Sequence, residues 1–155
     1  MLVQRCALEQ HRLILPVSVT KPVFHSDGFH PGLNRSEYRA LVDTGAQRSV
    51  LSRSLILQEQ LVRTGHMQFS GLHGAQTHSR FLATIGIWVR RVNGAPTDAD
   101  FRNAEQSLFN FEMPFEVVDM QDNLNFDLIL GFDVLKYLKF NFDNESQMFQ
   151  VIMPS

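Results

Sequence analysis

Residues Ala40–Ser52 read ALVDTGAQRSVLS and join two apolar strands through a short polar turn. Apolar residues lead into Asp43, and a second apolar strand leads away from it. Gly45 permits backbone angles that a side chain would obstruct, so the chain is predicted to reverse tightly here. The tripeptide Asp-Thr-Gly is short enough to occur by chance. Its apolar frame is what makes Asp43 a candidate catalytic acid on rigid support.

A second segment, Phe126–Leu135, also joins an apolar strand to a glycine. Its consecutive apolar residues Leu128–Leu130 predict a buried strand. Because glycine has no side chain, Gly131 predicts that this strand ends in close approach to another piece of backbone. Asp133 is then predicted to cap a short helix, Asp133–Leu138.

A third segment, Met67–Thr77, predicts a turn between two strands. Gly71 and Gly74 flank its tip and would let the hairpin bend there.

Period-two alternation dominates the rest of the chain and predicts a mostly β protein. Phe81–Val89 alternates most clearly, with one row of side chains on each face of a long strand. Other segments rich in Val, Ile, Phe and Leu also predict strands: Arg12–Thr20, Tyr38–Val42, Ser49–Leu51, Leu108–Met120, Asp127–Leu130, Lys139–Asp143 and Met148–Met153. The last two are predicted to form a hairpin with a four-residue connection. Pro16 places the first of these strands at a sheet edge.

Helix and loop signals are few. A helix is predicted after Ser52 as N-cap, running to about Val62, in addition to the one at Asp133. His25–Glu37 and Asn93–Ser107 gather Gly, Pro, Asn, Asp and Ser and predict loops. Neither resembles a domain linker, so residues 1–155 are expected to form a single domain.

Composition narrows the classes of partner and compartment. The net charge is −2 and the basic residues are scattered, so nucleic acid and membrane surfaces are not expected as partners. No apolar run approaches the length of a membrane span. The single cysteine, Cys6, fits a reducing compartment, and a cytoplasmic location is expected; a disulfide between the Cys6 residues of two subunits is the alternative. His25 with His30, or His73 with His78, offers two metal ligands but no third, so neither a metal nor another cofactor is expected.

The three motifs, taken in this order, resemble the retroviral-type (retropepsin-like) aspartic proteases over roughly residues Tyr38–Met153. The Asp-Thr-Gly-Ala-Gln and Leu-Gly-Phe-Asp-Val-Leu sequences are most similar to the retropepsin-like domains of DNA-damage-inducible ubiquitin-shuttle proteins and to small bacterial relatives. The resemblance implies a closed acid-protease β barrel with one or two short helices, completed as a homodimer. It further implies an aspartic endopeptidase that hydrolyses peptide bonds of extended or unfolded polypeptides.

The resemblance also implies roles for individual residues. Asp43 and its copy in the second subunit would activate a shared water, Thr44 would brace the two turns across the dimer axis, and the Gly45 amide would donate to the carboxylates. The substrate would contact the turn and the flap formed by the third motif, at Ala46, Gln47, Gly71, Leu72, His73 and Gly74.

The sequence departs from the viral pattern at two positions, and the function and the interface also have to be considered. Viral enzymes usually carry an acidic residue at the position of Gln47 and an arginine at that of Phe132, so a different bracing of the cleft is expected. The alternative to an active enzyme is a dimeric retropepsin-fold module that binds peptide, or acts as a scaffold, with little or no hydrolysis. Leu13–Val19 and Met148–Met153 are expected to interleave at the dimer interface, since their apolar edges would otherwise lie exposed.

Overall fold

The computed structural model describes residues 1–22, 29–31, 36–71 and 74–153. Strands dominate this part of the chain, and its helices are short. The strands are β1 (Leu2–Glu9), β2 (Arg12–Thr20), β3 (Phe29–Pro31), β4 (Tyr38–Val42), β5 (Val50–Ser52), β6 (Arg63–Gly71), β7 (Gly74–Arg91), β8 (Gln106–Asn110), β9 (Phe115–Met120), β10 (Leu128–Leu130), β11 (Lys139–Asp143) and β12 (Met148–Ile152). The helices are α1 (Arg53–Gln58), α2 (Asp98–Asn103) and α3 (Phe132–Leu135). The predicted mostly β class is confirmed.

The strands form one hydrogen-bonded sheet in the order β11-β12-β1-β2-β4-β10-β5-β9-β7-β8-β3, with β6 paired to β7. β1 and β2 pair with β7 as well, so the ladders that run from β2 through β4, β10, β5, β9 and β7 return to β2. Every strand of this path contributes buried apolar side chains, among them Leu15, Ala40, Leu51, Ile85, Val117, Leu128 and Leu130. The hydrophobic core therefore sits inside the path, and the segment that contains Asp43 begins at the end of one of its strands, β4.

Most predicted strands are present. Arg12–Thr20, Tyr38–Val42 and Lys139–Asp143 have the predicted bounds, and the others differ by one residue at one or both ends, apart from one that is divided and one that is longer. The longer one is β7, whose 18 residues extend the alternating segment Phe81–Val89 at both ends. The terminal hairpin is confirmed, because β11 and β12 pair antiparallel from Lys139↔Ile152 to Asp143↔Met148.

The prediction of one strand over Leu108–Met120 is wrong. The chain leaves the sheet between β8 and β9, where Pro114 cannot donate to a ladder. Phe111 fills the bend: its N–H donates to Ile85 O at 3.0 Å, and its ring packs edge-on against Phe115 at 5.3 Å between centroids.

Pro16 does not place β2 at an edge. β2 pairs with β4 on one side, and its other side pairs with β1 up to Leu13 and with β7 from Val17 onward. Pro16 falls in the gap between these two ladders, so the missing N–H costs no bond of either ladder.

The expected interface strands also lack open edges. β12 lies between β11 and β1, and β2 lies between β1 and β4 with a further ladder to β7. The premise that Leu13–Val19 and Met148–Met153 leave apolar edges exposed is therefore wrong.

The helices depart from prediction at their ends. Ser52 caps α1 as predicted, since its side chain accepts from Leu55 N, but the helix ends at Gln58 and Gln60 has a φ of 55°. α2 lies inside the segment predicted as a loop and begins with a capping box formed by Thr97 and Asp100. The other predicted loop contains β3, and its residues 25–28 and 32–35 lie outside the described part of the chain. Among the described residues, no helix has the length and apolar character needed to cross a membrane.

Candidate active site

Asp43 lies directly after β4, where the chain enters a tight turn. Its N–H donates to Leu130 O at 3.1 Å, which ties the start of the turn to β10. The Asp43 Oδ1 atom accepts from Gly45 N at 2.9 Å, and Ala46 N donates to Asp43 O at 3.3 Å. A Cβ atom at Gly45 would lie 3.2 Å from Asp43 Oδ1. Gly45 has no positive φ. The predicted need for special backbone angles is therefore wrong, and glycine lets the amide approach the carboxylate closely.

Gly131 marks the place where the two motifs touch. A Cβ atom there would lie 2.6 Å from Arg48 C, 2.7 Å from Arg48 O and 2.9 Å from Ala46 O, distances that no side chain tolerates. The next amide, Phe132 N, donates to Ala46 O at 2.7 Å. The predicted close approach of Gly131 to another backbone segment is confirmed, and it fixes the far end of the Asp43 turn.

A buried serine, Ser49, also holds together the crossing, which is the place where Gly131 packs against the backbone of residues 46–48. Ser49 is fully buried; its Oγ donates to Asp133 Oδ1 at 2.9 Å and accepts from Gly131 N at 3.0 Å. Ser49 N donates to Asp133 Oδ2 at 3.1 Å. The prediction that Asp133 caps α3 is therefore wrong: the N-cap position is Gly131, and the Asp133 carboxylate accepts hydrogen bonds from Ser49. Ser49 and Asp133 both belong to the predicted motifs. Their contact was not predicted, because they lie 84 positions apart in the sequence.

The third motif forms the predicted hairpin. β6 and β7 pair from Arg63↔Phe81 to Gly71↔Gly74, and Gly74 takes a φ of 95° at the tip. Most side chains along both outer arms are exposed, and Phe69 and His78 meet edge-on at 5.4 Å. Leu72 and His73 lie outside the described part of the chain.

Comparison with known structures identifies the architecture. Comparison with protein-family models and with curated proteins finds no match. Among solved structures, a retropepsin-like aspartic protease from Rickettsia conorii matches with a TM-score of 0.51 and 14% identity, over 96% of this chain and 90% of that chain. The chain has the retropepsin-like fold. The retroviral protease-like domain of Ddi1 from Leishmania major is also similar, with a TM-score of 0.44 and 18% identity over 93% of this chain and 94% of that chain. The match to the Rickettsia conorii structure confirms, at the level of the fold, the resemblance predicted from the motifs.

In this retropepsin-like fold, the turn and the hairpin are joined by charges that sequence reasoning missed. Arg48 in the turn lies 2.8 Å from Glu116 on β9, and Arg80 at the base of the hairpin lies 3.6 Å from the same carboxylate. All three side chains are between 34% and 41% exposed. Gln47 and Phe132, the positions that depart from the viral pattern, are both exposed. The ion pair with Glu116 is made by Arg48, one residue after Gln47.

A second polar contact anchors β4, the strand that leads into Asp43. Tyr38, at the start of β4, donates from its hydroxyl to Glu59 Oε2 at 3.0 Å. Burial, and next the hydrogen bond to Glu59, raise the pKa of Tyr38 well above its usual range. The phenol therefore stays a neutral donor and links β4 to the end of α1.

The structure brings together one part of the predicted site. Asp43, Thr44, Gly45, Ala46 and Gln47 share one turn, with Thr44 exposed and the Asp43 side chain partly exposed. Gly71 and Gly74 lie at the end of the hairpin, which is linked to that turn through its base at Arg80.

Metal ligands are not gathered in the part of the chain that the structure describes, where no group of three His, Cys, Asp or Glu side chains comes together. Of the histidine pairs considered above, the described side chain is that of His78, whose Nδ1 lies 3.0 Å from Asp119 O.

Proposed function

We propose that this chain is one subunit of an aspartic endopeptidase and that residues 1–155 act as a single domain, a closed β barrel completed by a second copy. The observation that carries the proposal is the Asp43 turn. Its carboxylate is oriented by the Gly45 amide at 2.9 Å, and its backbone is fixed on β10 through Asp43 N and on Phe132 N through Ala46 O. A carboxylate held this firmly at the surface of a retropepsin-like fold is suited to chemistry at an interface.

The proposed reaction needs two such carboxylates. Two acids a few ångströms apart share one proton, because ionising both is costly. The ionised Asp43 takes a proton from a water, whose oxygen attacks the peptide carbonyl, while the protonated copy donates to the carbonyl oxygen. Collapse of the tetrahedral intermediate breaks the C–N bond: Asp43 passes the proton it took from water to the leaving amine, and the second carboxylate takes its own proton back from a hydroxyl of the intermediate. Since the chain contains a single Asp-Thr-Gly, the second acid comes from a second copy.

The remaining predicted residues take supporting roles in this proposal. Thr44, exposed beside Asp43, bonds across the dimer axis to the turn of the second copy. The hairpin closes over a polypeptide substrate that lies extended along Ala46 and Gln47 and pairs with the flap, Gly71–Gly74, as an added strand.

Replacing Asp43 tests the proposal directly. Asp43→Asn keeps the shape of the side chain and most hydrogen bonds but removes the base, so cleavage of an unfolded protein substrate is expected to fall by at least about a thousandfold. Asp98→Asn removes the same charge from α2 and serves as the matched control. Circular dichroism and thermal unfolding establish that both variants remain folded. Residual cleavage within about tenfold of wild type in Asp43→Asn places the chemistry elsewhere.

A peptide analogue with a hydroxyl at the scissile position separates an enzyme from a binding scaffold. Because it mimics the tetrahedral intermediate, an active enzyme binds it far more tightly than substrate. It should raise the thermal stability of wild type and not that of Asp43→Asn. Equal stabilisation of both proteins, without cleavage, would favour the scaffold.

A further inference from the structure

β11 (Lys139–Asp143) is an open edge of the sheet. It pairs with β12 on one side, and in the part of the chain that the structure describes no strand pairs with its other side. An unprotected edge presents unpaired backbone groups and readily accepts another strand. Phe142, on this edge, is 55% exposed.

Hydrogen bonds on β12 determine which backbone groups β11 presents. Leu8 N donates to Gln147 O, and Met153 N donates to Leu2 O, so the odd-numbered residues of β12 bond to β1. The even-numbered residues therefore bond to β11, where their partners are Lys139, Asn141 and Asp143. The N–H and C=O groups of Phe140 and Phe142 consequently point to the open side.

We propose that β11 pairs antiparallel with β11 of a second copy, with Asn141 facing Asn141 on the two-fold axis. Phe140 then exchanges both backbone hydrogen bonds with Phe142 of the second copy. Lys139 lies opposite Asp143 of the second copy, and two-fold symmetry makes this ion pair twice. This inference rests on the proposed function in one respect, because it identifies the surface that assembles the two-subunit site.

The charge pattern selects this register from the alternatives. The outward backbone groups allow Phe140 to face Phe140, Phe140 to face Phe142, or Phe142 to face Phe142. The first and third registers overlap only part of the strand. The middle register pairs all of Lys-Phe-Asn-Phe-Asp with itself and brings the basic end of each strand to the acidic end of the other. Opposite charges facing each other across two strands stabilise the pair.

The state of Asp143 fits this pairing. Its Oδ2 accepts from Ser146 Oγ at 2.6 Å and its Oδ1 from Glu145 N at 3.0 Å. The Ser146 hydroxyl, and next the Glu145 amide, lower the pKa of Asp143. The carboxylate therefore stays ionised and keeps free lone pairs for a lysine. Lys139 has no ionic partner among the described residues.

α3 connects the β11 edge along the chain to the candidate active site. β11 follows α3, and α3 begins directly after Gly131 at the crossing with the Asp43 turn. Three of the large exposed hydrophobic side chains of the described residues fall on this short stretch: Phe132 (54%), Tyr137 (51%) and Phe142. In the proposed register Phe140 of the second copy covers Phe142, since both lie on the same face of the joined sheet.

A charge exchange tests the pairing by sedimentation equilibrium, in an Asp43→Asn background so that no self-cleavage occurs. Lys139→Glu and Asp143→Lys each place like charges opposite each other twice, so each is expected to raise the dimer Kd by about tenfold or more. An equimolar mixture of the two variants restores both ion pairs and should return the Kd to near the wild-type value. Lys136→Glu, the same change in charge just after α3, is the control and should leave the Kd within about twofold.

A cysteine on the axis tests the register without relying on charge or on the Asp143 turn. In a Cys6→Ser background, Asn141→Cys places two thiols directly opposite each other at a Cα separation of about 4.5–5.5 Å, within the range of a disulfide. Mild oxidation should give a covalent dimer, whereas Lys136→Cys should not.

Amide exchange compares neighbouring residues of β11. The amides of Phe140 and Phe142 should gain protection as the protein concentration rises, whereas the Asn141 amide should be protected at all concentrations.

The outcomes separate this inference from the proposed function. A wild-type dimer that is unaffected by either charge variant, is not restored by mixing and does not crosslink through Asn141→Cys overturns the β11 interface while leaving an enzyme intact. A chain that stays monomeric at high concentration overturns it as well. If the dimer behaves as expected and the chain with Asp43 intact cleaves nothing, the interface is supported and the endopeptidase is refuted.

Discussion

The Asp43 turn and the β6–β7 hairpin belong to one sheet but are held in different ways. The turn is fixed from several directions: Asp43 N bonds to β10, Ala46 O accepts from Phe132 N, and Gly131 packs against the backbone of Arg48. Beyond His78 and Ser79, which contact Asp119 on β9, the hairpin is held by its own two strands and is exposed along most of its length. A catalytic acid needs one fixed orientation, whereas a cover over a substrate has to open. The contacts in each region match the task proposed for it.

Amide hydrogen exchange should show the largest difference between the Asp43 turn and the β6–β7 hairpin, measured as protection of their backbone amides. The amides of Gly131 and Phe132 are bonded within the crossing, so they are expected to exchange only through near-global unfolding, with protection of about ten-thousandfold or more. Amides of residues 66–70 and 75–77 are expected to be at least about a hundredfold less protected. Mass spectrometry of exchange in the native protein measures both. Equal protection would mean that the hairpin is as rigid as the turn.

Gly131→Ala should break the rigid region. The added Cβ meets the carbonyl of Arg48 at 2.6 Å, so the backbone has to shift, and the free energy of unfolding is expected to fall by about 3 kcal/mol or more. Gly74→Ala on the hairpin adds a methyl into open space at a φ of 95° and should cost only about 1 kcal/mol. Urea denaturation compares the two variants, and a smaller loss in Gly131→Ala than in Gly74→Ala would contradict the crossing.

Ser49→Ala should weaken the same region to a smaller degree. It removes the hydroxyl between Asp133 and Gly131 N and leaves buried polar groups without a partner, which is expected to cost about 2 kcal/mol. Ser70→Ala, on an exposed position of β6, is the matched control and should change stability by less than about 0.5 kcal/mol. Indistinguishable stabilities for the two variants would show that the hydroxyl network contributes nothing.

Glu116→Gln should uncouple the two regions at the lowest cost. The side chains of Arg48 and Glu116 are both more than a third exposed, so solvent screens their charges. Their coupling free energy is therefore expected to stay below about 1 kcal/mol and to decrease at high salt. A double-mutant cycle with Arg48→Gln measures that coupling. A value above about 2 kcal/mol, insensitive to salt, would show that turn and hairpin form one rigid unit.

The motifs were predictable because their signals are local. Tyr38–Val42 and Leu128–Leu130 are short apolar strands, and a glycine after a buried strand already indicates a tight crossing. The partners of those motifs were not predictable in the same way. Ser49 and Asp133 lie 84 positions apart, and Arg48 and Glu116 lie 68 apart, so their contacts depend on the finished sheet.

Other elements were missed for reasons that can be named. α2 has a capping box in its sequence but buries none of its residues, so it shows no apolar stripe. It contacts β1 through Arg5, which pairs with Asp98 and lies over the ring of Phe101. Pro114 was the signal for the break between β8 and β9, and the alternating phenylalanines around it masked that signal. The prediction that Pro16 lies on an edge strand was wrong because one side of β2 pairs first with β1 and then with β7, and Pro16 lies between these two ladders.

β7 serves two regions with one continuous strand. Its inner part, from Arg80 onward, pairs with β9, β2, β8 and β1, while its outer part, Gly74–Ser79, pairs with β6. Two-residue insertions, matched on both arms, would lengthen the hairpin and preserve the inward and outward alternation of every inner residue. In evolution or in engineering, the reach of the hairpin can therefore be altered as a separate parameter, while the interior side chains keep the positions they have now.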